Sequence, residues 1–76
     1  MKYLIVAYRS RSMCKTYAVM HLKDQPLTWG PYKRLKRVKR IVADMRKERC
    51  IAARRGEDYK DHGPMWANVK IVEVEE

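Results

Sequence analysis

The chain has no phenylalanine, two cysteines, three glycines, three prolines and half as many acidic as basic residues over 76 positions. Each shortage excludes something. A secreted domain of this size usually carries a denser cysteine framework than the isolated Cys14 and Cys50, so the expectation is a reduced, cytoplasmic setting. No apolar run approaches the roughly 18 residues of a membrane span. The run from Tyr3 to Tyr8, closed by Arg9 and Arg11, is too short for a signal peptide. No membrane partner is expected, because the basic amphipathic stretch described below lacks the Trp, Phe and Leu content that insertion favours on its apolar side.

Chemistry-bearing clusters are equally scarce. Cys14, Cys50, His21 and His62 are the only soft or imidazole metal ligands, and they are widely scattered, so no metal and no cofactor are expected. Asp61 and His62 adjoin in a glycine-flanked stretch with Glu57 and Asp58 nearby, a place where an acid–base pair could act on a phosphodiester. Asp, His, Gly and Pro are also what a polar turn is made of, and that reading is preferred. No glycine-rich phosphate loop, nucleophile elbow or paired-carboxylate motif occurs. The chain therefore reads as a binding protein rather than an enzyme, with no small-molecule substrate.

What the sequence does have is positive charge. Eighteen Lys and Arg against nine Asp and Glu give a net charge of +9 and a pI near 9.9, which points to a polyanionic partner. The charge concentrates between Thr28 and Glu48. Thr28, Trp29, Gly30 and Pro31 look like a helix start, with Pro31 in the first turn, where its missing N–H is not needed. No further Gly or Pro interrupts the stretch before Glu48.

At about 100° per residue, Leu35, Val38, Ile41, Val42 and Met45 share one side. Lys33, Lys36, Arg37, Arg40 and Lys47 fall roughly opposite. Pairs such as Lys36/Arg40 are like-charged at helical spacing and destabilise by roughly 0.2–0.5 kcal/mol each. Cations in the first turn also oppose the helix dipole. A charge run is ordinarily a solvated face, but such faces interleave signs. Here only Asp44 and Glu48 offset eight basic residues between Lys33 and Lys47, and an anionic partner would relieve the repulsion.

Around this helix the sequence predicts strands. Tyr3–Tyr8 is a short β-forming run, and Cys14–Leu22 reads as a second strand joined to it by a hairpin whose tip carries Arg9, Arg11 and Lys15. Lys23–Pro26 is a connector. Continuing the helical register past Glu48 would put Ile51 on the basic side, so the helix should break near Arg49, with Cys50–Arg54 as a short strand. Gly56–Pro64 reads as a polar loop, and Trp66 or Ala67 to Val74 as a final strand.

The expected fold is a single α+β domain over residues 1–76. Two layers are predicted: an antiparallel sheet, ββα followed by one or two strands, packed on the single basic amphipathic helix. One helix does not make a helix-turn-helix unit, and the ribonucleoprotein motif of an RRM is absent.

Two functions are expected from this arrangement. The first is a nucleic-acid-binding module, for DNA or RNA, contacting phosphates through Lys33, Lys36, Arg37, Arg40 and Lys47, helped by Arg9, Arg11 and Lys15. The alternative is a small inhibitor or adaptor of the kind phages and mobile elements encode, binding an acidic surface on a larger host protein or nucleoprotein such as a nuclease, polymerase or defence complex. Trp29, Tyr32 and Trp66 would serve there as interface anchors. Trp29 also has a simpler reading, packing on the first helical turns, and a sharper one, stacking on a base.

Overall fold

A computed structural model describes residues 1–13, 22, 24–53 and 56–75 of the chain. Among the described residues, five strands and the helix α1 are formed in the order β1 (Lys2–Arg9), β2 (Leu27–Tyr32), α1 (Leu35–Lys47), β3 (Arg49–Ala52), β4 (Lys60–Pro64) and β5 (Trp66–Val74), and residues 11–13 are also helical. They make an α+β domain with a three-stranded sheet in the order β2-β1-β5 and a two-stranded ribbon, β3-β4. Every pairing is antiparallel.

β1 forms the centre of the sheet because it is the chain's most continuous β-forming run. Its alternate residues Ile5 and Ala7 are fully buried, and Tyr3 packs beside them. Ile5 stands opposite Ile71 of β5 and Trp29 of β2, so one face of all three strands is apolar. α1 covers that face through Val38, Val42 and Met45, all buried, with Ile41 partly so. Burying a side chain such as Val38 contributes roughly 1.5–3 kcal/mol. Replacing it with a charged residue would separate the layers.

The helix starts later than the proline signal predicts. Leu27–Tyr32 pairs with β1, and the residue before the helix, Arg34, is still extended at φ −106°, ψ 116°. The β-formers Thr28, Trp29 and Tyr32 prevail over the helix-start reading of Pro31. Among the described residues β2 is a sheet edge, where a proline's missing N–H breaks no ladder on the open side. The Gly30–Pro31 peptide is cis. Gly30 itself has φ +120°, and a Cβ there would lie 2.9 Å from the Tyr3 carbonyl oxygen, so this bend in β2 requires glycine.

The expected β1 hairpin is also corrected. Both edges of β1 are taken, by β2 and β5, and residues 11–13 are helical rather than a tight turn. The buried Ser10 caps that turn, its Oγ accepting from the Met13 N–H at 3.1 Å. Most of the expected strand Cys14–Leu22 lies outside the described residues, as does Lys15.

At its other end α1 stops at Lys47, where the apolar period is lost, and the Glu48 N–H closes back on the Asp44 and Met45 carbonyls. β3 follows, as the broken register of Ile51 predicts. Its partner β4 lies inside the stretch expected to be a loop. Polar residues suffice in β4 because it is mostly exposed, the buried side chain of the ribbon being Cys50 of β3, and cross-strand pairs hold it. Arg49 Nε donates to both Asp61 oxygens at 3.1 and 3.0 Å, and His62 Nε2 lies 3.2 Å from the Ala52 carbonyl oxygen. The ribbon is tied to the sheet where Ser10 N–H donates to Met65 O and Met65 N–H to Glu48 O, both at 3.1 Å. Ser10 Oγ also donates to Pro64 O.

Candidate nucleic-acid interface

The side of α1 away from the sheet is lined by exposed side chains. Lys33, just before the helix, and Lys36, Arg37, Arg40 and Lys47 on it are all exposed, as are Arg34 and Lys39. None of these seven forms an ion pair with a carboxylate of the described residues; the ion pairs found there are Arg49–Asp61 and Lys60–Glu57. The amphipathic pattern explains this. The apolar stripe fixes which side meets the sheet, and the only acid within the helix, Asp44, lies outside its first turn.

The two helix ends differ. The last turn carries Arg46 and Lys47, where cations favour the dipole, and Arg46 Nη2 also donates to the Val69 carbonyl at 3.2 Å. These contacts help the fold. The first turn has no acidic residue and Arg34 makes no side-chain cap, so its N–H groups add positive potential beneath Lys33, Arg34, Lys36 and Arg37. Charge there opposes helix stability.

Two open clefts adjoin at this end. One, of about 330 Å³, is lined by Pro31, Tyr32, Lys33, Arg34 and Arg37. The second, of about 440 Å³, is lined by Arg34, Lys36, Arg37 and Arg40. Arg34 lines both. It belongs to the basic run, but the wheel does not single it out, because it precedes the helix and only the late helix start turns it toward the cleft. The half-buried Tyr32 forms one wall, with the Arg37 guanidinium carbon 5.7 Å from its ring centre, a cation–π distance.

The remaining sequence-predicted residues are placed elsewhere. Arg9 ends β1, half-buried, and Arg11 is exposed among the helical residues 11–13. Both flank Ser10, which bonds to Pro64 and Met65 near the C-terminal end of α1. They are separated from the Lys33–Arg40 cluster by much of a 13-residue helix, roughly 20 Å at 1.5 Å per residue. Lys47 is at their end. Trp29 and Trp66 meet edge to face with ring centres 5.2 Å apart and planes at 85°, and both pack against the buried core. Trp29 therefore braces the sheet from β2 rather than standing in a turn before the helix.

Among the described residues no group of three or more His, Cys, Asp and Glu comes together to hold a metal ion. No described helix is long and apolar enough to cross a membrane. Asp61 and His62 are engaged across the ribbon. The Arg49 guanidinium holds the Asp61 carboxyl below its ordinary range, assisted by the Gly63 N–H.

No family model matches the chain, and neither a curated protein nor a solved structure shows significant similarity to it.

Proposed function

We propose that the protein is a small nucleic-acid-binding module that contacts phosphates through the exposed face of α1. The observation that carries this reading is the unpaired state of the cations. Lys33, Lys36, Arg37 and Arg40 crowd the positive end of a helix without a carboxylate partner among the described residues. Such an arrangement costs the free protein stability and is relieved by a polyanion. Lys47 extends the same face, and Arg9 and Arg11 offer a separate contact beyond its C-terminal end.

The test is a salt titration of binding to DNA, RNA and an uncharged polymer. With about five phosphate contacts on duplex DNA, the logarithm of affinity should fall with log salt at a slope of roughly −4 to −5. Equal binding to the uncharged polymer, or a slope near zero, overturns the reading.

A second reading rests on the ribbon. Ile51 is 53% exposed, and Tyr59, just before β4, is 80% exposed; together they resemble protein-interface anchors more than phosphate contacts. This favours an inhibitor or adaptor that seats on a larger protein, with an acidic surface of that partner meeting α1. A partner held by the native chain after nuclease treatment, and released by Ile51→Ser with Tyr59→Ser, would support it. Loss of every partner on nuclease treatment would support the first reading.

A further inference from the structure

The exposed side of α1 has a finer pattern than charge alone. At about 100° per residue, Lys36, Arg40, Ala43 and Lys47 fall within roughly 60° of one another, forming a ridge directly opposite the buried stripe. All four are exposed. Lys39 lies to one side of this ridge and Arg37 to the other, roughly 160° apart on the wheel. The helix therefore presents a cationic crest with a cation on each flank.

Resting on the nucleic-acid reading, we propose that this ridge seats in the major groove of double-stranded DNA. A helix with its side chains is about 10–12 Å across, and the B-form major groove is about 12 Å wide. Lys39 and Arg37 then meet the phosphates of opposite strands, while Lys36, Arg40 and Lys47 reach base edges, where Arg and Lys pair with guanine O6 and N7. The sheet covers the far side of the helix and does not obstruct the approach.

Other nucleic acids fit less well. The major groove of an RNA duplex is too deep and narrow for a helix. Single strands need aromatic rings to stack on. Among the described residues Tyr32 is the ring that lines the basic clefts, and it is half-buried with Arg37 over it. Tyr3, Trp29 and Trp66 pack on the core, and the exposed Tyr59 belongs to the ribbon segment beyond the C-terminal end of α1.

Ala43 distinguishes seating in a groove from lying across phosphates. It is the one ridge position without a long side chain, and its methyl group lets the helix backbone come close to the groove floor. A helix resting on the phosphate backbone is indifferent to size there. Ala43 is exposed, so enlarging it leaves the core alone.

The experiment compares the native chain with Ala43→Trp on four probes: a 20-bp DNA duplex, the same-sequence RNA duplex, the single strand, and heparin. The native chain should bind duplex DNA at least about tenfold tighter than the RNA duplex or the single strand. Ala43→Trp should lose about tenfold on duplex DNA and nothing on heparin. On the native chain, dimethyl sulfate should find guanine N7 protected and adenine N3 in the minor groove reactive, a readout that stands if Ala43→Trp fails to fold. Equal affinity for RNA or single strands, unchanged DNA binding by folded Ala43→Trp, or reactive guanine N7 overturns the groove assignment while the basic-face reading survives. Failure to bind any of the four polyanions at low salt overturns both.

Discussion

Trp66 Nε1 donates to Glu48 Oε2 at 2.7 Å, across the junction where α1 ends and β5 begins. The Glu48 backbone carbonyl meanwhile accepts from Met65 N–H, so one residue both ends the helix and holds the ribbon to the sheet. Glu48→Ala should destabilise the fold by roughly 1 kcal/mol, the contribution of one partly exposed hydrogen bond. Glu48→Gln, which keeps an acceptor oxygen, should lose less. Urea unfolding followed by Trp fluorescence measures both.

Gly63 and Gly56 make a matched pair. Both have positive φ, +113° and +75°, but a Cβ at Gly63 would stand 2.5 Å from Ser12 Oγ, whereas none of the neighbouring atoms lies within 4 Å at Gly56. Gly56→Ala should cost roughly 1 kcal/mol from backbone strain alone. Gly63→Ala should cost clearly more, because strain and collision add, and thermal unfolding should rank the two in that order.

Acid should loosen the ribbon before the sheet. Arg49 and then the Gly63 N–H lower the folded pKa of Asp61 below its ordinary 3.8. A depressed carboxylate contributes stability that is present above the unfolded pKa and lost as pH falls through the folded one. The Gly63 amide resonance should therefore shift only below about pH 4. Asp61→Asn should abolish that transition.

Charge at the start of α1 should trade stability against binding. Lys36→Glu places an acid in the first turn, worth roughly 0.3–1 kcal/mol against the dipole, and adds a favourable i,i+4 pair with Arg40 of about 0.2–0.5 kcal/mol. Its melting temperature should rise by several degrees, as expected for roughly 1 kcal/mol in a domain this small. Its affinity for duplex DNA should fall. A variant that is both less stable and a weaker binder would mean that Lys36 serves the fold.

The pattern of α1 made much of this legible in the sequence, since Leu35, Val38, Ile41, Val42 and Met45 define the packed side and leave the cations outside. β1 and β5 were legible for a similar reason: Tyr3–Tyr8 and the Val- and Ile-rich end can hardly be anything but strands. Sequence and structure differ where local signals compete. Pro31 signals a helix start, but Trp29 and Tyr32 have cross-strand partners in Ile5 and Tyr3, and pairing with residues 24 and 29 positions away is not visible locally. β4 is not legible because Asp61, His62, Gly63 and Pro64 have turn composition. Its strand depends on Arg49 reaching Asp61, a contact that exists only once the ribbon has formed. In the basic face, Arg34 does not stand out in the sequence, because its place in both clefts, shared with Arg37, follows from the later helix start.

If the cationic face of α1 meets a polyanion, as proposed, the salt dependence of duplex-DNA binding should differ between the native chain and Arg37→Glu with Arg40→Glu. Both side chains are exposed, so circular dichroism should match. With those two cations reversed, the slope of log affinity against log salt should become shallower by roughly 1–2, about one unit for each that meets a phosphate, and affinity at low salt should fall at least tenfold. Identical affinity and slope in a folded double variant would mean that this face of α1 does not meet the polyanion.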